Sequence, residues 1–231
     1  MDKRYYTKYA AAAVLGRLKR TKKENLVSAE LLEKPLDELS QADIAEIFAV
    51  ARENGIDLYH FKRTELLPRV RKVLGFLKGV YFETLLDVGS GRGVFLLPFL
   101  EEFPYVSATS VDVLDKRVEM LTDIRNGGVE NLKVLKANVC EQPLANKSVD
   151  VVTLLEVLEH IPDVESAIRA AVNMAKEYVV VTVPSKEDDN PEHIHLLTKA
   201  KLTAYFNACG VEKLSFDGVP GHLIMIGRID K

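Results

Sequence analysis

The 231-residue chain is expected to be an α/β protein: a doubly wound, mostly parallel seven-stranded sheet with a C-terminal antiparallel hairpin, preceded by an all-helical N-terminal extension. Three observations carry that expectation. From residue 84 onward, short β-branched or leucine runs alternate with helical patterns, as they do in a mostly parallel sheet. The first of these runs leads straight into three glycines at alternating positions, Gly89, Gly91 and Gly93. The chain closes with two apolar runs on either side of Gly218-Val219-Pro220-Gly221, the pattern of an antiparallel hairpin.

Taken in order, Tyr5 to Arg20 is alanine-rich and reads as a helix. Ser40, with Asp43 three residues later, makes a capping-box start. Ile44, Ile47, Phe48 and Ala51 then fall at helical spacing, and Asn54-Gly55 provides the stop. Thr64 is placed to cap a third helix, whose Leu66, Leu67, Val70, Val73, Leu74 and Leu77 form one apolar face and which Gly79 ends. The division therefore falls between a helical extension, residues 1–79, and a sheet domain, residues 80–231. In that domain the expected strands are Thr84–Val88, Ser107–Val111, Leu132–Ala137, Val149–Leu155 and Tyr178–Val183, then Glu212–Phe216 and His222–Ile229. The expected helices are Val94–Phe103, Asp115–Asn126, Val164–Lys176 and Lys199–Asn207.

Composition is that of an ordinary globular protein, 47% hydrophobic and 28% charged. Residues 1–80 carry 16 Lys+Arg against 11 Asp+Glu, and residues 81–231 carry 15 against 23, so a basic segment precedes an acidic body. Cys140 and Cys209 have no paired spacing, which fits a reducing compartment and excludes a thiolate metal cluster. The apolar run Ala10 to Gly16 is too short for a leader or a membrane span. A cytoplasmic location without membrane association is expected.

The most informative segment is Leu85-Leu86-Asp87-Val88-Gly89-Ser90-Gly91-Arg92-Gly93. Glycines let the turn be tight and let a ligand lie against the backbone. A following helix would present unpaired N–H groups to an anionic group. A dinucleotide fingerprint needs Gly or Ala where Val94 stands, and a phosphate loop needs Gly-Lys-Ser/Thr, which is absent. The loop resembles motif I of the class I S-adenosylmethionine (SAM)-dependent methyltransferases, with Asp87 as the acidic residue two positions before the first glycine.

The resemblance continues in order along about two thirds of the chain and implies a Rossmann-like SAM-binding fold. It implies that Gly89, Ser90, Gly91 and Gly93 line the cofactor. Asp112, with Val113, would grip the ribose hydroxyls, a task suited to a carboxylate with two acceptor oxygens. Asn138 and Val139 would read the adenine, although Asn stands where the family usually has Asp. Ser148-Val149-Asp150-Val151-Val152 and the following Leu155-Glu156-Val157-Leu158-Glu159-His160-Ile161 are similar to the fourth strand and exit of the small-molecule branch, placing Leu155 and Glu156 at the cofactor.

Chemistry is expected beyond the carboxyl ends of the strands. A hydroxyl or amine acceptor needs a proton removed, and His160, Glu159 and His195 are the candidates. If one helical turn carried them, Glu156, Glu159 and His160 would share a face. With His193 and His195 they could then hold a divalent metal. That constellation resembles the small-RNA 2′-O-methyltransferases, and a related one occurs in ubiquinone-pathway O-methyltransferases. The same turn is also common in metal-free members of the branch, where the His faces the substrate. His222 and His60 read as structural. Tyr5, Tyr6 and Tyr9 suit a lid over the acceptor, with a packing layer or homodimer surface as the competing reading. Lys3, Arg4, Lys8, Arg17, Lys19, Arg20, Lys22 and Lys23 could meet RNA phosphates. Three functions follow: a small-molecule O- or N-methyltransferase, a metal-assisted RNA 2′-O-methyltransferase, and a non-catalytic SAM-binding protein.

Overall fold

The computed structural model of the chain describes residues 6–62, 66–187 and 189–229. Lys3, Arg4, Tyr5 and the expected cap Thr64 lie outside the described residues. In chain order the elements begin with α1 (Thr7–Arg20), α2 (Ala29–Glu33), α3 (Gln41–Glu53) and α4 (Pro68–Lys78). They continue with β1 (Thr84–Val88), α5 (Leu96–Glu102), β2 (Ser107–Asp112), α6 (Asp115–Asn126), β3 (Leu132–Lys136) and β4 (Val149–Leu155). The chain closes with α7 (Val164–Met174), β5 (Ala175–Pro184), α8 (Lys199–Ala208), β6 (Lys213–Val219) and β7 (His222–Arg228). Two compact units result, one from the described chain up to 62 with 114–134, the other from 66–113 with 135–229.

In the first unit α1 packs along α6. The alanine run Ala10–Ala13 removes side-chain bulk, and Gly16 and Gly127 let the two backbones approach. Arg20 joins the helices, with Nε and Nη2 donating to the Asp123 carboxylate at 2.7 and 3.0 Å and Nη1 to Glu119 at 2.6 Å. Leu15, Leu18, Ile47 and Ala51 of α1 and α3 form the core of this unit. The Ser40–Asp43 capping box is present, with both reciprocal bonds made. Helix α2, capped by Ser28 accepting from the Leu31 N–H, has no counterpart in the sequence reading; at five residues it is too short for a periodic signal.

Three of the six described basic residues in the set that could meet RNA phosphates have partners. Lys8 pairs with Asp37, Arg20 with Asp123 and Glu119, and Lys19 donates to the Asn126 carbonyl. Tyr9 is buried, not displayed.

The described residues form a seven-stranded sheet in the order β3-β2-β1-β4-β5-β7-β6. Pairings β1/β2, β1/β4 and β4/β5 are parallel, and β7 lies antiparallel to both β5 and β6. The order reverses at β1 and β4, the crevice where ligands of open α/β sheets bind. The closing hairpin turns at Pro220-Gly221, so Gly218 and Val219 belong to β6. On one face, Ala167, Ile168 and Ala171 of α7 and Leu202 and Phe206 of α8 pack on Val179, Val181 and Met225.

Helix α4 groups with the sheet in the second unit. It begins at Pro68, with Leu66 and Leu67 outside it, because proline suits the first helical position and disfavours helix in the residue before it. Its Phe76 ring meets that of Tyr178 edge-on, at 5.3 Å between centroids.

Candidate active site

The glycine loop leaves β1 with Gly89, Gly91 and Gly93 all at positive φ, 65°, 55° and 79°. A Cβ at Gly89 would stand 2.6 Å from Val157 Cγ2, and one at Gly93 would stand 2.8 Å from Leu97 Cγ. At Gly91 the nearest atom would be 3.8 Å away, so backbone conformation alone calls for glycine there and its outer side is open. The loop is braced from within: Gly89 N–H donates to the Val111 carbonyl at 2.7 Å and Gly93 N–H to the Ser90 carbonyl at 2.8 Å. The Ser110 hydroxyl donates to Ser90 Oγ at 2.7 Å. The following helix does not start at Val94; α5 spans seven residues from Leu96. The N–H groups of Gly89, Gly91 and Gly93 are taken up by Val111, Asp112 and Ser90, and no helix end stands at Val94.

Asp112 ends β2 and accepts the Gly91 N–H at 3.2 Å through Oδ2, linking the expected ribose-gripping carboxylate to the loop. Asp87 is 2% exposed. Its Oδ1 accepts from the Thr153 hydroxyl at 2.6 Å, while Oδ2 has no hydrogen-bond partner among the described residues. Burial pushes the Asp87 pKa up to about 6; the Thr153 and Ser90 hydroxyls oppose that and the Asp112 charge adds to it. Val113 is exposed beside Asp112, and Val139 is buried. Asn138 spends its acceptor oxygen on the Cys140 N–H at 3.0 Å, capping the turn that follows β3. The same oxygen keeps a second lone pair.

After β4 the structure departs from the single-turn reading. Glu156 sits at φ 60°, and only Leu158–His160 form a short 3-10 turn, so Glu156, Glu159 and His160 do not share a helical face. Glu156 turns toward β5 and β7. The Thr182 hydroxyl donates to its Oε1 at 2.8 Å, His222 Nε2 lies 3.0 Å from Oε2, and Arg69 Nε lies 3.8 Å from Oε1. A non-glycine residue held at positive φ by such contacts is a common mark of a functional rim. Arg69, Thr182 and His222 did not emerge from the sequence as site residues. They come from three distant elements, and no local pattern announces their meeting.

Glu159, His160 and His193 do come together, with one potential ligand atom from each lying within 4.8 Å of the others. Glu159 is fully buried, and its carbonyl accepts the Ile194 N–H at 2.9 Å, which ties this turn to the segment after β5. The His160 and His193 rings stand edge-on, 4.8 Å apart. His160 Nδ1 lies 2.9 Å from the Glu192 carbonyl. A carbonyl only accepts, so Nδ1 carries a proton, and the neutral tautomer this selects has its lone pair at Nε2. His195 does not join them; its Nε2 faces the Pro162 carbonyl at 3.4 Å. His60 lies 3.7 Å from Asp57, a local pair of the other unit.

Residues 38–215 match a family described as a methyltransferase domain. That match covers most of the chain. The chain belongs to this methyltransferase family. A ubiquinone biosynthesis O-methyltransferase of Serratia proteamaculans is 30% identical over 109 residues, covering 47% of this chain and 44% of that protein. Another, from Bordetella bronchiseptica, is 31% identical over 147 residues, covering 60% and 58%. The chain thus spans between two fifths and three fifths of these curated relatives. The crystal structure of a SAM-dependent methyltransferase from Aquifex aeolicus superposes with a TM-score of 0.58, at 22% identity, over 72% of this chain and 92% of that one. This methyltransferase-family chain shares its Rossmann-like fold. Among the described residues no helix is long and apolar enough to cross a membrane.

Proposed function

We propose that this chain is a SAM-dependent methyltransferase acting on an oxygen or nitrogen atom of a small-molecule acceptor, in the cytoplasm. The observation that carries the reading is the open three-glycine loop clasped by the Asp112 carboxylate at the β1/β4 crevice. The residues fit this cofactor. Gly91 leaves its outer side clear, the Asp87 Oδ2 is a buried acceptor without a partner among the described residues, and Asp112 offers a carboxylate for a vicinal diol. When bound, SAM supplies a methyl group already activated on a sulfonium, so positioning provides much of the acceleration.

In this reading Asp112 orients the ribose, and the backbone of residues 89–93 carries the amino-acid portion. His160 Nε2 would take the proton from an acceptor hydroxyl or amine. Glu192, through its carbonyl, keeps the ring in the tautomer this requires. Glu159 and His193 position it. The match to small-molecule O-methyltransferases in sequence supports the acceptor class.

Replacing Asp112 with alanine is expected to weaken SAM binding by about 1–3 kcal/mol, through lost charge-assisted hydrogen bonds. Isothermal titration calorimetry measures this directly, and an unchanged affinity would remove the ribose assignment. Transfer from labelled SAM into a metabolite fraction tests the activity; labelling confined to RNA or protein would overturn the acceptor class.

The Glu159–His160–His193 cluster favours a second reading in which those three residues hold a divalent cation beside the acceptor. Glu156, committed to Thr182, His222 and Arg69, and His195, committed to Pro162, stand outside that set. The two readings part on chelation. His160 acting as a base predicts transfer unaffected by EDTA, whereas the metal reading predicts loss in EDTA and recovery with Mn²⁺ or Mg²⁺.

A further inference from the structure

The face of the sheet opposite α7 and α8 holds a cleft that the glycine loop and its rim do not use. Val180 of β5 pairs with Ile226 of β7, and Ile224 of β7 with Asp217 of β6, so these four side chains project on the same side. Helix α4 covers this side only in part. At Gly75 an added Cβ would meet nothing within 4 Å, and the gap continues into a cleft of about 460 Å³, within the range of small-molecule sites. Its floor is Val180, Ile224 and Ile226, and Phe76 forms one wall. At the mouth Lys72 reaches across to Asp217, Nζ to Oδ2 2.6 Å, with Arg71 one residue before it on the same helix.

Arg71, Lys72 and Asp217 line an open apolar groove, and Arg71 Nη2 also donates to the Leu66 carbonyl at 3.4 Å. The Lys72–Asp217 pair is about half exposed on both sides, and an exposed pair of this kind is held weakly. An arriving anion can therefore take Lys72 from Asp217 at little cost. The hydrophobic floor meanwhile offers few partners to water and favours displacement by an apolar body.

We propose that this cleft is a second small-molecule site, which takes a compact apolar molecule bearing one anionic group. The apolar body lies on Val180, Ile224 and Ile226 beside Gly75, and the anion sits between Arg71 and Lys72. The site is separate from the glycine loop and does not depend on methyl transfer.

The probe is 1-anilinonaphthalene-8-sulfonate, followed by its fluorescence on the full chain. Saturable one-to-one binding is expected, unchanged by excess S-adenosylhomocysteine. Gly75→Leu, which places a side chain in the gap, should weaken it about tenfold or more, by filling the volume. Lys72→Glu should weaken it about threefold or more and needs no repacking, so it decides the case if Gly75→Leu fails to fold. N-phenyl-1-naphthylamine, the same ring system without the sulfonate, should bind several-fold less tightly. Displacement by S-adenosylhomocysteine, equal binding of the uncharged ring, or indifference to both substitutions would overturn the proposal. So would a loss of dimer in Gly75→Leu by sedimentation, since the cleft would then be filled by a second copy.

Discussion

Gly16→Ala and Gly127→Ala are each expected to destabilise the helical unit by about 3 kcal/mol or more, enough to lower the denaturation midpoint of the chain sharply. At Gly16 the new Cβ would lie 1.8 Å from the Asp123 carbonyl oxygen and 2.7 Å from its carbon. At Gly127 it would lie 1.8 Å from the Ala12 carbonyl oxygen. Both obstacles are backbone, so no rotamer change relieves them; α1 and α6 must separate. Separation would also lengthen the bidentate Arg20–Asp123 contact that joins the same helices. At Gly16, which lies inside α1, helix propensity argues the other way, since Ala is better than Gly inside a helix by about 1 kcal/mol. The clash exceeds it. Gly75→Ala in α4 serves as the control: its Cβ meets nothing, so propensity acts alone and the substitution should stabilise by up to about 1 kcal/mol. Urea or thermal denaturation reads all three variants. A Gly16→Ala protein as stable as the parent would refute the close crossing.

Asp87→Asn is expected to stabilise the fold at neutral pH while weakening the cofactor site. The carboxyl titrates near 3.8 when free and at about 6 when buried behind the glycine loop, so the folded state binds this proton more tightly than the unfolded chain does. The stabilising contribution of the protonated form is therefore full below the unfolded value and disappears as pH rises through about 6. Above that the fold carries an ionised buried carboxylate at a cost of about 1–3 kcal/mol. Asparagine carries no charge. Its advantage should be greatest at pH 7–8 and should vanish near pH 4. Denaturation series at the two pH values measure the difference, and a gap independent of pH would show that Asp87 is not desolvated as described. The destabilising charge is the kind of feature retained for ligand binding, which is why SAM affinity should fall in the same variant.

These two cases lie at opposite ends of what could be read along the chain. Asp87 was legible because a strand leading into three alternating glycines is a local pattern. Gly16 was not, because its partner belongs to a helix a hundred residues away. Legibility followed the range of the interactions involved. Strands Thr84–Val88 and Val149–Leu155 and helix Asp115–Asn126 have the bounds expected from alternation, periodicity and flanking glycines. The Ser40 capping box likewise involves residues three apart. The apolar stripe extends through Leu66 and Leu67, but α4 begins at Pro68, because the residue before a proline is disfavoured in the helical conformation.

Local order in the chain was sufficient for the alternating α/β architecture, the terminal hairpin, the glycine loop and Asp112 at the end of its strand. Each of these depends on neighbours a few residues apart, or on the regular side-to-side succession of parallel strands. The rim was a matter of three-dimensional packing. Periodicity put Glu156 beside Glu159 and His160, but a left-handed backbone turned it toward Thr182, His222 and Arg69. Glu159 and His160 joined His193 instead, from a segment more than thirty residues on. Such meetings depend on where loops after different strands converge in space, and spacing along one chain carries no record of that convergence.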